Sequence, residues 1–305
     1  MTTNKEEQLA LWPVLPALVT RIEAAVRTCR AADPFLPIHV LVPNHVVGTL
    51  LARSLFADTG YLAIHVELPH EFAWSVAARE SLGAGLLPVP EEVDLAIILN
   101  AAAAAVANAS TPDYLKCAVQ TPGFAPAALR TLRDIAAAEV DPAALEALAG
   151  KAPDGGKVRV LARIAHGYHR TLAAARLIDR ETLYRRAAAL LPLADGAGVV
   201  LIGDAPQSRG FEALLARLAA THSFIWLAWS ERPGVAPRRD AARAAFATRA
   251  GVAFEPVEGE WQTGTSLSRV QRSLFAESAQ GQAAPLDSSV SIEVREGILI
   301  TPCYR

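Results

Sequence analysis

The chain has 305 residues, enough for one large domain or two smaller ones, and 52% hydrophobic against 20% charged residues excludes a disordered chain. Lys+Arg 29 against Asp+Glu 31 leaves a net charge of −2, which excludes the global basic field of a dedicated nucleic-acid binder. Cys29, Cys117 and Cys303 lie far apart with no CxxC pair, so neither a disulfide framework nor a cysteine zinc site is written here. The N-terminus carries no basic-then-apolar leader and no apolar run is long enough to span a bilayer. A soluble cytoplasmic protein is the expectation.

In chain order, Leu15, Leu18, Val19, Ile22 and Val26 fall at helical spacing and predict a first helix from about Pro13 to Arg30. Ile38 to Val42 is a strand, and Pro43-Asn44-His45 turns the chain into a helix with Val47, Leu50, Leu51 and Leu55 on one face. Leu62 to Val66 is the next strand. From about His70 to Leu191 the pattern is almost wholly helical. Pro126 stands near one helix start, Asp141-Pro142 is a cap with proline at the first helical position, and Asp179 caps another helix. Leu161, Ile164, Tyr168 and Leu172 form a longer stripe, and Gly150–Gly156 is the clearest internal loop.

The β pattern then returns. Val199–Ile202 is an apolar run too short for a helix; Gly203–Gln207 is a turn and Ser208 an N-cap. Phe211, Leu214, Leu215 and Leu218 line one helix face, and Phe224–Trp229 is a second strand. Strand, helix and strand make a βαβ unit, whose strands run parallel with a right-handed crossover. A helix near Asp240–Arg249, a strand within Val252–Val257, a helix at Ser266–Phe275 and a strand at Ser289–Val294 complete the reading. The last apolar residues, Ile298 to Arg305, stop without a polar tail, and a fragment of a longer protein is expected.

The chemical inventory is sparse. A phosphate loop needs GxxxxGK[ST], and the nearest stretch, Gly155-Gly156-Lys157-Val158, lacks both the first glycine and the hydroxyl. No GxGxxG follows the first strand. Asp204 ends a strand where a magnesium-binding aspartate would lie, but Ala205 and Pro206 follow, and turn-capping is the reading preferred. His166 and His169 have helical spacing without an acid or cysteine in step, so they read as ordinary histidines rather than ligands. Arg176–Arg186 reads as a solvated face with an i, i+4 pair, Glu181–Arg185, and Trp226 and Trp229 read as core.

Ile38–Ala57 (IHVLVPNHVVGTLLARSLFA) followed by Ala63–Ala77 (AIHVELPHEFAWSVA) resembles the start of the AddB-type subunits of bacterial ATP-dependent helicase–nucleases. These are PD-(D/E)XK nuclease family proteins whose N-terminal half is a superfamily 1 helicase-like region. Gly123–Leu145 resembles the family's inserted helical subdomain, and Tyr168–Leu191 (YHRTLAAARLIDRETLYRRAAALL) its following helix pair. Val199–Ser230 matches a further strand and helix; GDAPQS within it is similar to the GDPKQS stretch of superfamily 1 helicases.

The resemblance implies a degenerate P-loop-NTPase-like α/β domain with a parallel sheet, formed by residues 1–70 and 192–305, with residues 71–191 as a helical insertion. It also implies a role in DNA double-strand-break repair and recombination, as a DNA-engaging scaffold beside a catalytic helicase–nuclease partner subunit. The Walker A lysine, the nuclease motif and the iron–sulfur cysteines of some members have no counterparts here, so no catalytic, cofactor or metal residue carries over. The loops that face single-stranded DNA in superfamily 1 helicases correspond to Pro43-Asn44-His45 and Pro69-His70-Glu71, which makes Asn44, His45, Arg53 and His70 the DNA-contact candidates. Helix capping by Asn44 and by His70 is the competing reading. Two other function classes stay open: a nucleotide-dependent enzyme using Asp204 at a noncanonical phosphate site, and an interaction module unrelated to DNA.

Overall fold

Five short segments become the strands of one parallel sheet in the computed structural model, which describes residues 15–31, 33–58, 63–107, 111–193, 196–205, 208–229 and 237–257. The elements in chain order are α1 (Leu15–Cys29), β1 (Ile38–Leu41), α2 (His45–Asp58), β2 (Ile64–Glu67), α3 (Pro69–Gly83) and β3 (Leu87–Pro88). There follow α4 (Glu91–Val106), α5 (Asp113–Val119), α6 (Phe124–Ala137), α7 (Pro142–Ala149), α8 (Gly155–Ala175) and β4 (Leu177–Ile178). The chain continues through α9 (Arg180–Leu190), β5 (Gly198–Ile202), α10 (Arg209–Thr221), β6 (Phe224–Trp229), α11 (Pro237–Ala250) and β7 (Glu255–Val257).

The sheet order is β2-β1-β5-β6-β7, with every neighbouring pair parallel. The expected βαβ unit is therefore present, with Val199 beside Phe224 and Leu201 beside Trp226. A parallel sheet buries both faces, which is why β5 is an unbroken apolar run. Side chains alternate between two cores. Ile38, Val40, Val200, Ile202 and Leu227 face α1 and α2, against Leu18, Ile22, Leu51 and Leu55. Leu41, Val199, Leu201 and Trp226 face α3, α9, α10 and α11, against Phe72, Tyr184, Phe211 and Phe246. Trp226 is a core residue as expected, and its indole Nε1–H donates to the Gly203 carbonyl at 2.7 Å.

The helical segment between β2 and β5 has its own core, built on Ile98, Ala102, Leu129, Leu132, Ile164 and Leu172. The two-residue strands β3 and β4 pair parallel where the chain leaves for this segment and where it returns. The α3 and α9 helices at its margins pack with the sheet, so the separate helical core is narrower than residues 71–191. Their apolar residues, Phe72, Ala73 and Ala77 of α3 and Leu183, Tyr184 and Ala187 of α9, join the core that includes the sheet face and α10. The Gly155-Gly156 pair, expected to close a loop, instead opens α8, because the Asp154 carboxylate caps that helix by accepting from the Lys157 amide at 3.1 Å. Caps at Asp141, Asp179 and Ser208 form as the sequence predicts. The expected helix at Ser266–Phe275, the strand at Ser289–Val294 and the end segment Ile298–Arg305 lie outside the described residues.

The β1–β5 seam is tight. A Cβ added at Gly198 would stand 2.7 Å from Ile38 Cδ1 and 3.2 Å from Cys29 Sγ. Gly198→Ala should therefore lower unfolding free energy by about 1–3 kcal/mol in urea titration. An unchanged midpoint would show that the seam has slack.

Candidate functional site

Because the strands are parallel, the turns after β1, β2 and β5 meet at one end of the sheet. The chain runs outward from β1 to β2 on one side and from β5 to β7 on the other, so β1 and β5 flank the point where strand order reverses. Open α/β sheets collect ligands beyond the carboxyl ends of their strands at such a point.

The turn after β1 places Asn44 at the N-terminus of α2, and its side-chain Oδ1 accepts from the Val47 amide at 2.9 Å. Asn44 thus caps its helix, satisfying an amide that an incoming phosphate would otherwise use. A cleft of about 200 Å³ lies beside it, lined by His45, Thr49, Glu67 and Glu71 among others. Both acids are engaged. Glu67 Oε1 lies 2.6 Å from Nδ1 of His39, and Glu71 Oε2 accepts from the Leu68 amide at 2.8 Å. The cap of α3 is therefore made by Glu71 rather than by His70, a capping box in which the carboxylate reaches back one turn.

His70 turns into a larger cavity. Burial, and then Arg180, hold its imidazole below the usual histidine range, so it is neutral at neutral pH. Arg53 is exposed on α2, two turns from His45 or about 12 Å along the axis. The structure brings Asn44, His45 and His70 to one end of the sheet and leaves Arg53 apart.

Asp204, at the end of β5, accepts from Arg243 of α11 at 2.9 Å through Nε and at 2.6 Å through Nη2. The guanidinium is 4% exposed and also meets Asp240 at 3.3 Å. Asp204 thereby balances a buried arginine, and the turn it was expected to cap runs into Pro206 and Gln207, which lie outside the described residues. The helix that supplies the arginine lies 39 residues away, which is why local turn chemistry misses the pair.

The larger cavity, about 500 Å³, lies between α3, α4, α6, α8 and α9. Asp94 is buried in its wall, with Oδ2 accepting from Arg133 at 3.0 Å. Burial and the nearby Asp94 carboxylate push the Tyr168 phenol far up. His169 stands 4.0 Å from Asp179 across the same space, whereas His166 lies in a groove on another side of α8. The two histidines thus share no site. Among the described residues no group of three or more His, Cys, Asp or Glu is placed to hold a metal ion.

Glu181 is buried at the mouth of this cavity, and its Oε2 accepts from the Gly210 amide at 3.2 Å. The carboxylate thereby fills the N-terminus of α10 that follows β5. The expected Glu181–Arg185 surface pair does not form. Arg185 donates to the Glu181 carbonyl and stands 3.9 Å from Glu139, while the Glu181 carboxylate points inward.

A line of cations escaped the sequence reading. Arg159, Arg163, His166 and Arg170 follow one another along α8, and Arg163, His166 and Arg170 edge a groove of about 640 Å³ between α4, α7 and α8. Their i, i+4, i+7, i+11 spacing is legible in the sequence as one helix face, and it matches neither a metal-ligand nor a phosphate-loop pattern.

No family model matches the chain, and no curated protein matches it at a significant level.

Burial pushes the Glu181 carboxyl up, against the lowering effect of hydrogen bonds from Ser208 and Gly210. The folded chain therefore holds this proton more tightly than the unfolded one. That stabilisation is complete below the unfolded glutamate pKa of about 4.3 and is lost as pH rises through the folded value. Glu181→Gln removes the titration. The stability of wild type minus that of the variant should fall as pH is raised from 4 to 8 in thermal unfolding; a flat difference would contradict the inward placement.

Proposed function

We propose that this chain is a helicase-like α/β domain without nucleotide chemistry, serving as a DNA-engaging scaffold in the processing of double-strand breaks beside a catalytic helicase–nuclease partner. The observation that carries the reading is the turn after β1. An NTPase of this layout would cradle phosphates there with free helix amides and a lysine. Here the turn is Pro43-Asn44-His45, Asn44 spends its side chain on the Val47 amide, and Glu67 and Glu71 wall the adjacent cleft.

The N-terminus of α10, another amide cluster at this end of the sheet, receives the Glu181 carboxylate. Asp204, on which an enzyme reading would depend, faces Arg243 at hydrogen-bonding distance. DNA as the partner is supported by the order of elements, in which a parallel sheet is interrupted by a helical segment between β2 and β5, together with the resemblance of Ile38–Ala77 and Tyr168–Leu191 to AddB-type subunits.

Purified chain should release no phosphate from ATP above a buffer control, with or without single-stranded DNA. Turnover that disappears in Asp204→Ala would overturn the scaffold reading in favour of an enzyme.

A further inference from the structure

The longest helix of the described residues, α8, holds Lys157, Arg159, Arg163 and Arg170 and no acid within its 21 residues. In a chain of net charge −2 that concentration is local, and it is not spent on the fold. The stripe that docks α8 is Val160, Ile164, Tyr168 and Leu172, all buried. Arg159, Arg163, His166 and Arg170 run along another side. Among the described residues no ion pair reaches Arg159, Arg163 or Arg170, although seven other arginines do pair: Arg21, Arg133, Arg185, Arg186, Arg209, Arg243 and Arg249.

Beside this line the surface is concave. Ala101, Ala104 and Ala105 of α4 and Ala143 of α7 are among the small residues that line the groove. The helices lie close because Gly167 faces Ala101, where an added Cβ would stand 3.2 Å from the alanine methyl carbon. The result is a trough of small side chains with guanidinium groups along its rim.

We infer that this trough binds the phosphate backbone of a single nucleic-acid strand, with Arg159, Arg163 and Arg170 as the phosphate contacts. Arg159 and Arg163 are about 6 Å apart along the helix axis and Arg170 lies about 10 Å further on. This row of charges follows one strand rather than clasping two. Arginine suits the task because its planar fork donates to phosphate oxygens in pairs. The small floor residues let a backbone approach without meeting bulk. A bilayer surface does not fit, since the apolar face that would have to enter lipid is consumed in the helical core. Glu146 lies in the same groove and opposes a phosphate, so affinity is tuned downward from within the site.

The inference rests on the DNA reading proposed above and moves the contact from the β1 turn to the insertion. Three phosphate contacts give a salt slope of about −2 on a single strand, so affinity for labelled oligo-dT should fall about twentyfold between 50 and 200 mM NaCl. With Arg163→Gln/Arg170→Gln, binding at low salt should weaken and the slope shrink to about −0.7, a roughly threefold fall over the same range. Asn44→Ala/Arg53→Ala should bind as wild type does, and Glu146→Gln should bind more tightly.

Wild-type binding that neither arginine substitution nor Glu146→Gln alters would overturn this surface and leave the DNA reading standing. No binding by wild type at 50 mM salt would overturn both. Tighter capture of a polyglutamate peptide than of oligo-dT, through the same arginines, would replace the nucleic acid with an acidic protein partner. If the double arginine variant does not fold, Glu146→Gln decides alone: unchanged affinity overturns the inference.

Discussion

The pairing of β1 with β5 is the constraint on which the structure depends. Ile38–Leu41 lies beside Gly198–Leu201, joining segments separated by about half of the chain. Both strands are interior to the sheet, so each backbone group on that seam must find its partner there or be buried unsatisfied. Gly198 lets the seam close against Ile38 and Cys29. Once it closes, β2 adds on one side and β6 and β7 on the other, and the two helical layers follow from the alternation of side chains.

Everything between the two strands must then leave the sheet and return. The β3–β4 pair holds the two chain crossings together, while α3 and α9 fasten the segment's ends to the sheet. Glu181 adds a polar tie. Its carboxylate at the Gly210 amide links the first turn of α9 to the first turn of α10, and Gly210 has no room for a side chain because Glu181 and Tyr184 press against it. A buried carboxylate is costly to desolvate, and here the amide, the Ser208 hydroxyl and the helix dipole offset that cost.

These ties bear on function through what they occupy. In a parallel sheet the amides at the carboxyl end are the natural anion sites, and among the described residues one or more amides at each of three such helix starts is met by a side chain of this chain: by Asn44 at α2, Glu71 at α3, and Ser208 with Glu181 at α10. Among the described residues, arginines that no ion pair reaches stand on α8, in the inserted segment. Under the proposal made above, helix termini engaged by the chain's own side chains and an insertion that presents arginines suit a scaffold role.

The sequence by itself determined the elements. Period-3.6 stripes marked α1, α2, α6, α8, α9 and α10, apolar runs marked β1, β5 and β6, and Asp141, Asp179 and Ser208 stood as caps, because these depend on neighbours within a few residues. The same local logic paired Glu181 with Arg185 on the surface and saw no distant partner for Asp204. Their true partners, Gly210 and Arg243, are 29 and 39 residues away. His70 could be read locally as a DNA contact or as a helix cap, and only the fold shows its ring lining the cavity beside the insertion. Pairings between elements, and therefore which charges are spent and which remain for a partner, were decided only by the tertiary structure. Burial and ion pairing act through space, and spacing along the chain does not record them.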